Sequence, residues 1–134
     1  MLKKVGVIRG GVSYDRQKSL EYGKHVLDFF KNHNEIKVFD LVLHPNGAWT
    51  QDGYLKDLQS IMQDIDIFFN SLIGHEAEAG HISEIIELQN KKNIGHSSLH
   101  GRLVHDKKNL HDIVKQHNIK TLFCRCFQCR FYRK

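Results

Sequence analysis

Three stretches of this 134-residue sequence carry residue types that could do chemistry. The first is Gly10-Gly11-Val12-Ser13-Tyr14-Asp15, a glycine pair followed by a hydroxyl and a carboxylate. Glycine lets a backbone approach a ligand closely, and a carboxylate accepts charge-assisted hydrogen bonds from a cationic group. The second runs from Ile73 to Gly80, with Glu78 between two glycines. The third is Cys124-Arg125-Cys126-Phe127-Gln128-Cys129, whose C-x-C-x-x-C spacing could offer thiolates to zinc, with one of ten histidines as a fourth ligand. That stretch reads equally as a reduced, solvated terminus. Arg125, Phe127, Arg130, Phe131 and Arg133 interleave cations with aromatics, the pattern of a weak nucleic-acid contact. The glycine pair fits neither G-x-G-x-x-G nor G-x-x-x-x-G-K-[ST], so neither a dinucleotide nor a P-loop phosphate site is expected, and the histidines form no H-E-x-x-H metal motif.

The elements that must hold these stretches follow from periodicity. Val5, Val7 and Ile8 mark a short buried strand that stops at Gly10-Gly11. Ser13 or Asp15 can cap the next segment, Arg16 to Asn32, whose Leu20, Gly23, Val26, Leu27 and Phe30 form one helical stripe. Glu35 to His44 reads as a second strand, closed by the turn Pro45-Asn46-Gly47. A weak helix is expected around Tyr54 to Met62, then a central parallel strand from Asp66 to Leu72. Helices are expected over Gly80 to Lys92 and Lys108 to His117, and a last short strand over Ile119 to Phe123. This alternation predicts an α/β fold: a Rossmann-like, three-layer domain with a mostly parallel sheet. In such sheets ligands sit beyond the carboxyl ends of the strands, where the first two stretches fall. Helices follow both loops, so their positive ends favour an anion or carboxylate there.

Composition narrows the classes further. The length suits one domain. No apolar run is long enough to span a bilayer and none forms a secretory signal, so a cytoplasmic, non-membrane protein is expected. After Asp112 there are six basic residues and no acidic ones, leaving 14 basic and 15 acidic residues in the body. A body without basic excess does not look like a nucleic-acid-binding domain.

The residues from Lys4 to Leu20 (K-V-G-V-I-R-G-G-V-S-Y-D-R-Q-K-S-L), continuing into Gly23 to Leu27, resemble the opening of a D-alanine–D-alanine ligase. That family has a strand, then Gly-Gly-x-Ser-x-Glu-x-x-x-Ser, then a helix. Phe69-Asn70-Ser71-Leu72-Ile73-Gly74, continuing through Glu78 and Gly80, is similar to its Phe-Asn-x-Leu-His-Gly-x-x-Gly-Glu-Asp-Gly. His105-Asp106-Lys107 and His117 to Thr121 continue the likeness, which covers about residues 3 to 123.

The resemblance implies a pre-ATP-grasp domain over 1–123, followed by a basic Cys/Arg/Phe tail over 124–134 expected to be disordered. It implies a part in ATP-dependent dipeptide formation for peptidoglycan, with Asp15 standing where the family's Glu meets the ammonium group of the first D-alanine. Gly10, Gly11, Ser19 and Glu78 would complete the substrate-binding set; no catalytic residue and no metal ligand is implied in this chain. Asp15 keeps the charge with one methylene less reach, and Lys18 stands where the family has an apolar residue. Ile73 replaces a histidine, and Lys91-Lys92-Asn93-Ile94-Gly95 replaces a buried Ile-Pro-Tyr-Thr-Gly strand, in conflict with a covered sheet. The family's ATP and magnesium residues lie in grasp lobes beyond this stretch, so the chain is expected to hold no cofactor and to be inactive alone. Its partners would be D-alanine and either ATP-grasp lobes on another chain or a second copy of itself. The alternatives are a non-catalytic interaction module on the same scaffold, and weak zinc or nucleic-acid binding through the tail.

Overall fold

A computed structural model describes residues 2–74 and 80–122. The order along the chain is β1 (Lys3–Gly10), α1 (Arg16–Lys31), β2 (Ile36–Leu43), β3 (Trp49–Gln51), β4 (Tyr54–Leu55), α2 (Leu58–Asp64), β5 (Ile67–Asn70), α3 (His81–Leu88), β6 (Lys92–Ile94), α4 (Ser98–His105) and α5 (Lys107–Gln116). Val5 to Ile8 has no polar face and is stable only where both sides of a sheet are covered. It accordingly lies mid-sheet, in the strand order β4-β3-β2-β1-β5-β6. β1 runs parallel to β2 and to β5, and β5 parallel to β6, while β3 and β4 add an antiparallel hairpin at one edge.

The two faces of the sheet are buried differently. On one, Ile8, Leu41 and Phe68 pack with Ile61 and Met62 of α2, with Ile65, and with Ile86 of α3 in the main core. Gly6 keeps that face close: a Cβ there would fall 2.5 Å from Leu41 Cδ1. The other face is covered by α1, which buries Ser19, Gly23 and Leu27. Phe30 of α1 meets Phe69 edge-on at 6.2 Å between ring centres. Truncating a fully buried aromatic such as Phe68 would cost about 3–5 kcal/mol. The result is the three-layer, mostly parallel α/β arrangement that the alternating pattern implies.

Several boundaries differ from the sequence expectation, each for a local reason. Tyr54 and Leu55 are a strand, and the helix begins only at Leu58, because Asp57 caps it by accepting from Ser60 N–H at 2.8 Å. Ile119 to Leu122 forms no strand, and Phe123 lies outside the described residues. The sixth strand is instead Lys92–Ile94, the basic stretch that conflicts with a covered position. The conflict is relieved by placement at the sheet edge, where Lys92 is exposed and the Lys91 ammonium donates to the Ile65 carbonyl at 2.9 Å. Helix α4, where the sequence pattern implies no element, is capped by Ser97, whose hydroxyl accepts from His100 N–H.

Candidate functional site

The loop after β1 and the loop after β5 meet at the carboxyl ends of their strands, and serines hold them together. Ser13 Oγ donates to the Ile73 carbonyl at 3.1 Å, joining one loop to the other. Below it, Ser19 Oγ donates to the Ser71 carbonyl at 3.0 Å and accepts from Gly10 N–H at 2.9 Å. Ser71 Oγ donates in turn to the Ile8 carbonyl at 2.6 Å. Ser19 and Ser71 are buried, so these bonds form where water cannot replace them.

The glycines shape the turn. Gly10 and Gly11 have φ of +96° and +97°, a region that side chains rarely enter. A Cβ on Gly10 would lie 2.5 Å from the Leu43 carbonyl oxygen, and Gly11 N–H donates to that same oxygen at 2.9 Å. Both N–H groups of the pair are therefore engaged within the protein. Gly74, with φ +101°, lets the β5 loop pass close by: a Cβ there would sit 2.7 Å from Ser13 Oγ and 3.6 Å from Asp15 Oδ2.

Asp15 stands at the start of α1 with no side-chain capping bond. Its Oδ1 instead accepts from the Lys18 ammonium at 2.8 Å, and the two side chains are 37% and 74% exposed. That hydrogen bond raises the Lys18 pKa above its ordinary value. Beneath α1, Arg9 makes a two-pronged ion pair with Asp40 at 2.6 Å and donates to the Leu20 carbonyl at 3.1 Å; the Asp40 bond raises the Arg9 pKa. Gly23 makes room for it, since a Cβ there would fall 2.7 Å from Arg9 Cβ.

Of the five residues singled out in the sequence, four lie within the described structure, at the junction of β1 and α1. Asp15 stands at the start of α1, Gly10 and Gly11 form the turn after β1, and Ser19 of α1 supports that turn through Gly10 N–H. Glu78 lies outside the described residues, as does the Cys124 to Cys129 cluster. Ser71 and Gly74 have no role in the sequence reading, and Ser13, a candidate cap there, joins the two loops instead. The signal that points to Ser71 is a hydroxyl inside an otherwise apolar run (F-F-N-S-L), where burial demands a hydrogen-bond partner. Among the described residues no group of three His, Cys, Asp or Glu side chains could hold a metal ion.

No protein-family model matches the chain. Two Clostridium botulinum proteins named D-alanine--D-alanine ligase, from strains Eklund 17B and Alaska E43, are each 29% identical over 118 residues, covering 88% of this chain. The chain spans about a third of those relatives' length, at 36%. Among solved structures, the D-alanine-D-alanine ligase of Aeromonas hydrophila aligns with TM-score 0.79 at 16% identity, covering 90% of this chain and 50% of that one. The Bacillus anthracis enzyme, complexed with ATP, gives 0.74 at 24%, covering 89% and 38%. VanG D-Ala:D-Ser ligase from Enterococcus faecalis gives 0.73 at 22%, covering 90% and 43%. In sequence the chain is similar to about a third of a D-alanine--D-alanine ligase, and in fold it is similar to part of the solved ligases of that kind.

Proposed function

We propose that this chain is an amino-acid-holding domain of the D-alanine–D-alanine ligase type, serving ATP-dependent dipeptide formation in peptidoglycan synthesis. Asp15 receives the ammonium group of a D-alanine. Gly10 and Gly11 shape the loop that carries it, Ser19 fixes that loop to the sheet, and Glu78 adds a second carboxylate from the β5 loop. Residues 1–123 are the binding domain and 124–134 an appended basic tail. The single observation that carries this reading is the Ser13–Ile73 bond, which brings the Asp15 loop and the start of the β5 loop to one rim. A carboxylate suits the task because charge-assisted bonds to an ammonium group are the stronger kind.

The phosphoryl chemistry belongs to ATP-grasp lobes on another polypeptide segment, with ATP and magnesium as their cofactors and a cytoplasmic setting. No helix among the described residues is long and apolar enough to cross a membrane. Incubated alone with ATP, magnesium and D-alanine, the chain should release no phosphate. Titration with D-alanine, followed by NMR or calorimetry, should show saturable binding that weakens about tenfold in Asp15→Ala. Equal titrations of the two proteins would refute the reading.

A further inference from the structure

The Asp15 carboxylate is already in use. Lys18 lies three residues further along α1, a spacing that puts both side chains on one face of the helix. Its ammonium reaches back to Asp15 Oδ1 at 2.8 Å, toward the helix end where the peptide dipoles disfavour a cation. Asp15 is what makes that position favourable. In chemical terms the lysine ammonium is the same group that an amino-acid ligand would bring. Oδ1 is thus taken and Oδ2 faces Gly74. A second ammonium arriving at this carboxylate must either displace Lys18 or share the site against like-charge repulsion.

We infer that Lys18 is an internal counter-cation that competes with the ligand's ammonium for Asp15 and thereby sets the affinity of the site. This rests on the reading of Asp15 as the ammonium acceptor. The magnitude is bounded by exposure: the lysine is 74% exposed, and exposed ion pairs are weak. Removing the competitor should therefore tighten amino-acid binding by about two- to fivefold. It should have the opposite effect on a ligand with a carboxylate and no ammonium, because that ligand loses a nearby cation.

The test compares the wild-type chain, Lys18→Met, Asp15→Ala and the double variant, each titrated with D-alanine and with propionate. Methionine keeps the length and apolar stem of lysine without its charge. Matching thermal melts of wild type and Lys18→Met would show that the fold is retained. The expected result is D-alanine binding two- to fivefold tighter in Lys18→Met, propionate binding no tighter, and no gain in the double variant. Asp15-dependent binding that is equal in wild type and Lys18→Met would overturn the competition and leave the Asp15 reading intact. A loss of D-alanine affinity in Lys18→Met would make the lysine a carboxylate anchor and overturn it too. Absence of D-alanine binding in both wild type and Lys18→Met would overturn the inference together with the reading on which it rests.

Discussion

Ser19 shows how a residue in a recognisable position can have a role that its position alone does not reveal. Its hydroxyl is buried and joins Gly10, nine residues away, to Ser71, fifty-two residues away. Replacing it with alanine leaves the Gly10 N–H without its acceptor in a dry site, a loss of about 1–3 kcal/mol. Urea unfolding of Ser19→Ala should report that loss as a lower midpoint with an unchanged slope. An unaltered midpoint would mean that Gly10 finds another acceptor. The resemblance implies a substrate-binding role for Ser19, and the sequence shows neither of these partners. Long-range partners leave no local periodicity. Lys18 is the opposite case, because its i,i+3 relation to Asp15 is visible in the sequence, and only the resulting occupation of Oδ1 needed coordinates.

Elements built on side-chain caps carry the acid response of the fold. Asp57 accepts from both the N–H and the hydroxyl of Ser60, and Glu87 accepts from both groups of Ser98. Asp64 pairs with Lys56. In each case the bond to the charged carboxylate lowers its pKa below the ordinary value: Ser60 chiefly for Asp57, Ser98 for Glu87, Lys56 for Asp64. A group whose pKa is lowered by folding stabilises the fold above its unfolded value and loses that contribution as pH falls through the folded one. Stability should therefore hold at neutral pH and decline on acidification below the usual carboxylate range. Thermal melts of an Asp57→Asn, Glu87→Gln double variant should lie below wild type at pH 7, with the gap closing as pH falls. A gap that stays constant with pH would separate these carboxylates from the acid response.

The same elements mark how far local pattern reaches. Strands β1, β2 and β5 and helix α1 are legible because apolar residues recur over eight or more positions or form a continuous run. The β3–β4 hairpin is not, since strands of three and two residues have no period to read. Its one local cue is Asp52-Gly53, a pair suited to the positive φ angles of 52° and 87° found there. β6 was hidden for another reason: its lysine signals exposure, which a sheet edge permits and a central position does not.

At the scale of the molecule, α/β alternation was enough to indicate the sheet, while the way its surface is covered could not be inferred. Helix α5 has apolar residues at helical spacing, Leu110, Ile113 and Val114, yet none of its residues is buried. Elsewhere, Leu88, Leu99 and Leu122 are 75%, 73% and 91% exposed. Large apolar side chains left open favour association with a complementary surface. Sedimentation velocity should show an average mass that rises with concentration, and a Leu88→Lys, Leu99→Lys variant should shift the population toward monomer. Monomeric behaviour of the unaltered chain across that range would count against this surface as a contact.

The short ends of the sheet decide what kind of assembly that can be. β4 offers two residues and β6 three, with an exposed lysine among the latter. Neither margin is long enough to recruit a neighbour's backbone into a growing ribbon, and a charged flank discourages the attempt. Clusters of this protein should accordingly be greasy and loose, dispersing on dilution, with no amyloid-type diffraction or dye response.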